Sequence, residues 1–255
     1  MEDVLALNGR VALITGGSRG IGRAIVELLA RLGVDVAINF VSDEKSAAAV
    51  VSSAKEKGVR AIAVAADVSS VAQSETLVQE TLRQLNRIDF LICNAGIWEG
   101  GPVESIPEEL WNRTIDVNLK GTWTVCRAAV PVMKNQRFGR IVIISSTAGQ
   151  RGEANVSNYA ASKGGQVSFT KSLSSELAQF GINVNCVAPG WVHTDMTDDV
   201  FEDKERLKSV NATIPLGRMA TPEEIAGPVV FLCSNWANHI TGEILNVNGG
   251  SVLCG

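Results

Sequence analysis

The sequence predicts an α/β protein: a doubly wound, seven-stranded parallel sheet covered by helices in a single domain spanning residues 1–255. Three observations carry that expectation. Short, nearly continuous runs of Val, Ile, Leu and Ala recur along the chain, longer amphipathic stretches separate them, and no linker, repeat or low-complexity tract breaks the alternation. A strand that is apolar at almost every position must be covered on both faces, as strands of parallel sheets are.

Taken in order, the apolar runs are residues 11–15, 34–39, 61–65, 90–93, 141–144, 184–187 and 244–247. The intervening stretches 21–32, 44–57, 71–85, 108–134 and 158–180 place apolar residues three and four apart, the spacing of helices packed on a sheet. Residues 197–214, within a candidate lid of about 191–214, are polar and charged instead, as in a loop or short helices that close over a ligand.

Composition narrows the function classes. A net charge of −4 argues against nucleic acid, which calls for a clustered basic face. The five cysteines, Cys93, Cys126, Cys186, Cys233 and Cys254, are widely spaced without a CxxC pair. They read as small buried apolar residues of a reducing cytosol, with neither a disulfide framework nor a metal site. The acidic start of the chain lacks the apolar core of a signal peptide, and no run approaches the roughly 18 residues of a membrane span. A cytoplasmic protein without a membrane or nucleic-acid partner is expected.

Thr15-Gly16-Gly17-Ser18-Arg19-Gly20-Ile21-Gly22 follows the first strand and opens the first helix. In that context Gly16 permits a tight turn, Gly20 lets the backbone approach a pyrophosphate, and Gly22 lets the helix pack closely on the sheet. The helix N-terminus offers free N–H groups and a positive dipole end to phosphate. A carboxylate about 20 residues beyond the glycines would accept from the 2′-hydroxyl of NAD. Here that stretch reads Asn39-Phe40-Val41-Ser42, with no acid before Asp43, while Arg19 in the loop suits a 2′-phosphate. NADP(H) is favoured and NAD(H) stays open.

Tyr159 and Lys163 stand one helical turn apart, and Tyr159 is the only tyrosine. A phenol near pKa 10 exchanges protons poorly at neutral pH, and a neighbouring ammonium is expected to draw it down. Taken alone, the pair would read as a solvated helix face.

The glycine spacing, together with Asn94-Ala95-Gly96 after the fourth strand, resembles the short-chain dehydrogenase/reductase family, and the likeness covers nearly the whole chain. Cys93 departs from the family's usual Asn before Asn94. The resemblance implies a Rossmann-type fold. It also implies a catalytic tetrad of Asn118, Ser146, Tyr159 and Lys163, matching in order and spacing. Ser146 rather than Ser145 has the family's offset from Tyr159. In those roles Tyr159 protonates the carbonyl oxygen and Ser146 hydrogen-bonds it. Lys163 binds the nicotinamide ribose and supports the phenolate, and Asn118 holds a water linking Lys163 to solvent. The implied cofactor residues are Gly16, Ser18, Arg19, Gly20, Ile21 and Gly22 at the loop, Ser42 at the ribose, Asp67 and Val68 at the adenine, and Asn94, Ala95 and Gly96. Pro189, Gly190, Val192 and Thr194 follow at the nicotinamide, with Tyr159 and Lys163. His193 receives no catalytic role.

Within the family the chain resembles the bacterial 3-oxoacyl-acyl-carrier-protein reductases, through Ile240-Thr241-Gly242-Glu243, Val247-Asn248-Gly249-Gly250 and Gly139-Arg140. Arg137 matches a basic rim residue of those enzymes, whereas Ser175 and Phe180 stand where they tend to be basic. The substrate is therefore open between a 3-oxoacyl thioester and a free small ketone, sugar or cyclic alcohol. A homotetramer is implied, paired through the helices around 108–134 and 158–180. A non-catalytic dinucleotide sensor is the alternative of another class; such a protein would be expected to show a broken tetrad.

Overall fold

The computed structural model describes residues 5–253; Cys254 and the first four residues, including the acidic start, lie outside the described residues. Seven strands form one sheet: β1 (Val11–Ile14), β2 (Asp35–Phe40), β3 (Ala61–Ala65), β4 (Phe90–Cys93), β5 (Gly139–Ile144), β6 (Ile182–Pro189) and β7 (Ile244–Val247). All pair parallel, in the order β3-β2-β1-β4-β5-β6-β7. The chain runs outward from β1 to β3 and then returns to β4 beside β1. That reversal opens a crevice above the carboxyl ends of β1 and β4.

Alternating side chains feed two cores. Ala12 and Ile14 of β1 join one buried cluster, with Ile25 and Leu29 of α1 (Gly20–Arg31) and Val229 of α10 (Pro222–Cys233). Val11 and Leu13 join the other, with Leu77 of α3 (Val71–Leu85), Val125 of α5 (Gly121–Gln136) and Leu177 of α7 (Ser157–Leu177). Both faces being covered explains why the strand sequences show no polar alternation. Among the described residues Cys93, Cys126, Cys186 and Cys233 are buried and free, as expected of small apolar side chains.

Four of the α-helices start on a side-chain cap: α2 (Glu44–Lys55), α3, α9 (Lys204–Ala212) and α10. Asp43 accepts from the Ser46 N–H at 2.9 Å at the head of α2. Thr221 and Glu224 form a capping box around Pro222 at the head of α10. The start of α1 carries no side-chain cap and no acid in its first turn, which leaves its N–H groups to the crevice.

The helix expected over 108–134 is interrupted. It divides into α4 (Glu108–Ile115), a π turn at Asp116–Lys120, and α5. α7 ends earlier than expected and closes with a 3₁₀ turn at Ala178–Phe180, after the short α6 (Ala148–Arg151). The charged stretch after β6 forms a 3₁₀ turn (Asp195–Thr197), α8 (Asp198–Glu202) and α9 (Lys204–Ala212). These gather a small apolar cluster of Val200, Ile214 and Met219. The many acids and bases of that segment hid this cluster from composition.

Candidate active site

The crevice holds a cavity of about 770 Å³. Its lining includes Gly16, Ser18, Arg19, Gly20 and Ile21 at one side and Ser146, Tyr159 and Lys163 at the other. Gly16 and Gly20 have φ of +62° and +52°, where a side chain would be strained. A Cβ on Gly20 would stand 3.4 Å from Thr194, in ordinary contact, so it is the positive φ that calls for glycine here. Gly22 differs from the other candidate cofactor residues: it lies beneath the cavity, where a Cβ would be 2.2 Å from the Gly16 carbonyl oxygen. It serves packing, and touches no cavity wall.

Thr15 and Asn94 brace the loop. The Thr15 hydroxyl accepts from the Asn94 and Ala95 N–H groups at 2.9 and 3.0 Å, and the Asn94 amide donates to the Thr15 and Gly16 carbonyls at 3.0 and 3.1 Å. A Cβ on Gly96 would crowd Asn118 Oδ1 at 3.2 Å and Lys163 Nζ at 3.5 Å. These uncapped N–H groups, positive-φ glycines and small residues fit an extended dinucleotide.

Arg19, Ser42 and Asp43 share one end of the cavity. Arg19 is largely exposed and stands 4.0 Å from Asp195. Asp43 is spent on capping α2, and the Ser46 hydrogen bonds hold its carboxyl below the usual range, with Arg19 contributing. Sequence reasoning passed over Asn39, which is buried beneath this end. Its Oδ1 accepts from the Gly16 N–H at 3.4 Å, and its amide donates to the Ala66 carbonyl at 2.8 Å. A polar residue following the apolar run Val36–Ile38 of β2 was the available signal. Asp67 and Val68 also line the cavity, and Asp67 Oδ1 accepts from both the N–H and the hydroxyl of Ser69.

Tyr159 and Lys163 project from α7 toward the carboxyl end of β5, where Ser146 lies. Ser145 and Ser146 both line the cavity, but the Ser145 hydroxyl is committed to the Lys163 carbonyl, to which it donates at 2.8 Å. Lys163 Nζ donates to the Ile144 carbonyl at 2.8 Å and sits 5.6 Å from the Tyr159 ring centroid. Burial lowers the Lys163 ammonium from 10.5 to about 8. Tyr159 moves opposite to the expected direction. Burial pushes its phenol up to about 12, the neighbouring Ser146 hydroxyl pulls it back, and the Glu153 charge pushes it further up. Desolvation of the phenolate dominates, and the influence that draws the value down is the Ser146 hydroxyl rather than the expected ammonium.

Asn118 is fully buried and lies behind the cavity wall. Its Oδ1 accepts from the Ile97 N–H at 2.8 Å, and its Nδ2 donates to the Ile97 carbonyl and the Ser162 hydroxyl, both at 3.0 Å. The Asn118 carbonyl, freed by the π turn, accepts from Gln166 Nε2 and Thr122 Oγ1, each at 2.8 Å. Through these bonds Asn118 braces the loop after β4 against α7.

The remaining wall carries residues with no motif to announce them: Trp98, Glu99, Arg113 and Glu153, with Trp191 and Met196 from the stretch after β6. Trp98 and Trp191 meet edge to face with centroids 5.7 Å apart. Glu99 pairs with Arg113. His193 stacks on Phe201 away from the cavity. Away from the cavity, Phe180 lies under two cations, Lys134 at 4.5 Å and Arg137 at 6.0 Å, of which Lys134 also pairs with Glu176 at 3.7 Å. Ser175 only bonds back to the Lys171 carbonyl. Among the described residues no group of His, Cys, Asp or Glu is placed to hold a metal, and no helix is long and apolar enough to cross a membrane.

Comparison with known proteins agrees with this architecture. The profile of a family described as enoyl-(acyl carrier protein) reductase matches residues 16–251. The 3-oxoacyl-acyl-carrier-protein reductase FabG of Staphylococcus aureus is 41% identical over 95% of this chain and 98% of its own. The enzyme of the same name from Aquifex aeolicus is 42% identical over 96% and 98%. A solved structure of a candidate gluconate dehydrogenase from Agrobacterium tumefaciens superposes with a TM-score of 0.94, at 35% identity, over 98% of this chain and 99% of its own. The chain belongs to the short-chain dehydrogenase/reductase family and is a nicotinamide-dependent oxidoreductase acting at ketone and alcohol carbons.

Proposed function

We propose that the protein reduces a ketone to a secondary alcohol with NADPH, using Ser146, Tyr159 and Lys163 as its catalytic residues. The observation that carries this reading is the convergence of those three side chains on the cavity that the uncapped, glycine-lined start of α1 also faces. The N–H groups around Ser18, Gly20 and Ile21 would hold the pyrophosphate, Asp67 and Val68 the adenine, and Asn94, Ala95, Gly96 and Lys163 the nicotinamide ribose. Pro189, Gly190, Val192 and Thr194 would hold the nicotinamide, which when bound supplies the hydride for the carbonyl carbon.

The protein residues supply placement and the proton. A phenol held at about 12 is protonated at neutral pH, the form a proton donor needs. Tyr159 gives that proton to the carbonyl oxygen while the Ser146 hydroxyl fixes and polarises the same oxygen. The Lys163 ammonium stabilises the resulting phenolate until solvent restores the proton. Asn118 acts as a positioning residue for this group. A panel of ketones assayed with NADPH and NADH tests the reading; cofactor binding without turnover of any carbonyl would favour the sensor instead.

Arg19, with no acid at residues 39–42, supports NADPH over NADH. A charge-assisted bond to the 2′-phosphate is worth about 1.5–3 kcal/mol, or roughly 10- to 150-fold. Arg19 is exposed and shared with Asp195, which places the effect near the lower end. Arg19→Ala should therefore raise the KM for NADPH about 10-fold and leave that for NADH nearly unchanged. Equal effects on both cofactors would assign Arg19 to loop shape.

A second reading narrows the ketone to a 3-oxoacyl thioester, favoured by the names of the relatives and by the Lys134 and Arg137 cations at Phe180. If an acidic carrier protein docks there, kcat/KM for the carrier-bound substrate should exceed that for a small thioester at low salt. That advantage should fade as the Debye length falls through ~10 Å at about 0.1 M salt. Homotetramer assembly is proposed as well, with the half-exposed Trp111 on α4 and Trp123 on α5 supplying apolar surface for the pairing.

A further inference from the structure

Glu153 has no hydrogen bond or ion pair among the described residues, although it lines the cavity and is half-buried. Its charged influences are Tyr159, whose phenol it pushes up, and Arg151, whose cation partly offsets the burial that raises the Glu153 carboxyl. It stands in the loop before α7, and that loop is locked to the one carrying Trp98. A Cβ on Gly100 would lie 2.3 Å from the Asn155 carbonyl oxygen, and Asn158 Nδ2 donates to the Glu99 carbonyl at 3.0 Å. The two loops therefore present one wall, bearing a free carboxylate beside the proton donor, with Trp98 meeting Trp191 edge to face.

A carboxylate offers only acceptors, so an apolar ligand pressed against it strips water and returns nothing. Aromatic rings give broad apolar contact to C–H faces. A ligand satisfying both carries hydroxyl donors on a short carbon skeleton. We propose that Glu153 is a specificity-determining residue that makes this site prefer hydroxyketones, with a hydroxyl beside the reacting carbonyl, over plain ketones and unsubstituted acyl chains. The proposal rests on the ketone-reductase reading and names its substrate class. The same wall disfavours a substrate carboxylate next to the reacting carbon, by repulsion from Glu153.

The test compares kcat/KM for 1-hydroxy-2-butanone, 2-butanone and an acetoacetyl N-acetylcysteamine thioester, using the intact protein and its Glu153→Ala and Glu153→Gln variants. The wild-type protein should favour the hydroxyketone over 2-butanone by about 10-fold, the lower end for a hydrogen bond to a charged but half-exposed group. Glu153→Ala should lose about that factor on the hydroxyketone, mainly in KM, and gain on 2-butanone because an unpaired acid is removed. Glu153→Gln, which keeps an acceptor, should retain part of the preference. This crossing of the two substrates is a result that general damage to the fold cannot produce. Parallel changes on all three substrates, or a wild-type preference for the thioester that Glu153→Ala leaves intact, would overturn the proposal while the ketone-reductase reading stood. A wild-type protein that reduces no ketone would bring down both.

Discussion

Tyr159→Phe should lower kcat for ketone reduction by roughly 10²- to 10⁴-fold, the range ascribed to a positioned general acid. The substitution deletes one hydroxyl and keeps the ring against its neighbours, so NADPH affinity should change little, and fluorescence titration of the reduced nicotinamide would measure it. The burial that drives the phenol to about 12 gives the experiment its direction. In the wild-type protein the donor is protonated across the neutral range, so its own titration does not limit reduction until far into alkali. Oxidation of the alcohol needs the phenolate, and its rate should climb with pH over the same range. A Tyr159→Phe enzyme retaining more than about a tenth of wild-type kcat, against the 10²-fold minimum for such a donor, would remove Tyr159 from the chemistry. Ser146 would then be the next candidate at the carbonyl oxygen.

The second large effect belongs to Lys163. Its folded value of about 8 lies below the ordinary 10.5, because burial penalises the ammonium. Below pH 8 the cation is present beside Tyr159; above it the folded protein holds a neutral amine. The reductive kcat/KM should therefore fall above an apparent pKa of about 8, as electrostatic support for the developing phenolate is lost. Lys163→Met should cut kcat/KM by about 10²-fold or more, counting lost support for the proton donor, and its pH profile should lack this descending arm. An arm persisting at the same pH in Lys163→Met would assign it to another group. Stability follows the same sign. Between about 8 and 10.5 the unfolded chain binds a proton that the folded Lys163 does not, so this residue's contribution to stability rises with pH through that window.

Much of this molecule could be read before any coordinates. Strands covered on both faces must be apolar throughout, so β1, β4, β5 and β6 announced themselves, and the order around the sheet matches the expected doubly wound arrangement. The glycine loop was legible because positive φ and close backbone approach leave a local signature in residue type. Ser146, Tyr159 and Lys163 were legible through the family resemblance, which matches their order and spacing, and the structure draws them to one cavity.

What the chain order could not express was surroundings. The π turn that divides α4 from α5 depends on Asn118 meeting Ile97 and on Gln166 reaching across from α7, contacts between residues more than 20 positions apart. The shift of Tyr159 to about 12 follows from burial, which no i, i+4 spacing reports. Phe180 looked like a lost charge until Lys134 and Arg137 were found around its ring. Glu153 and Trp98, some 50 positions apart, become one wall only when Gly100 lets their loops meet. By itself the sequence determined the fold and marked the glycine loop and the proposed reacting groups, because periodicity, φ preference and functional chemistry are properties of residue type. Tertiary structure alone decided which of those groups are desolvated, which polar atoms are already satisfied and which acid is left unpaired, because burial and partnership arise only when distant segments pack.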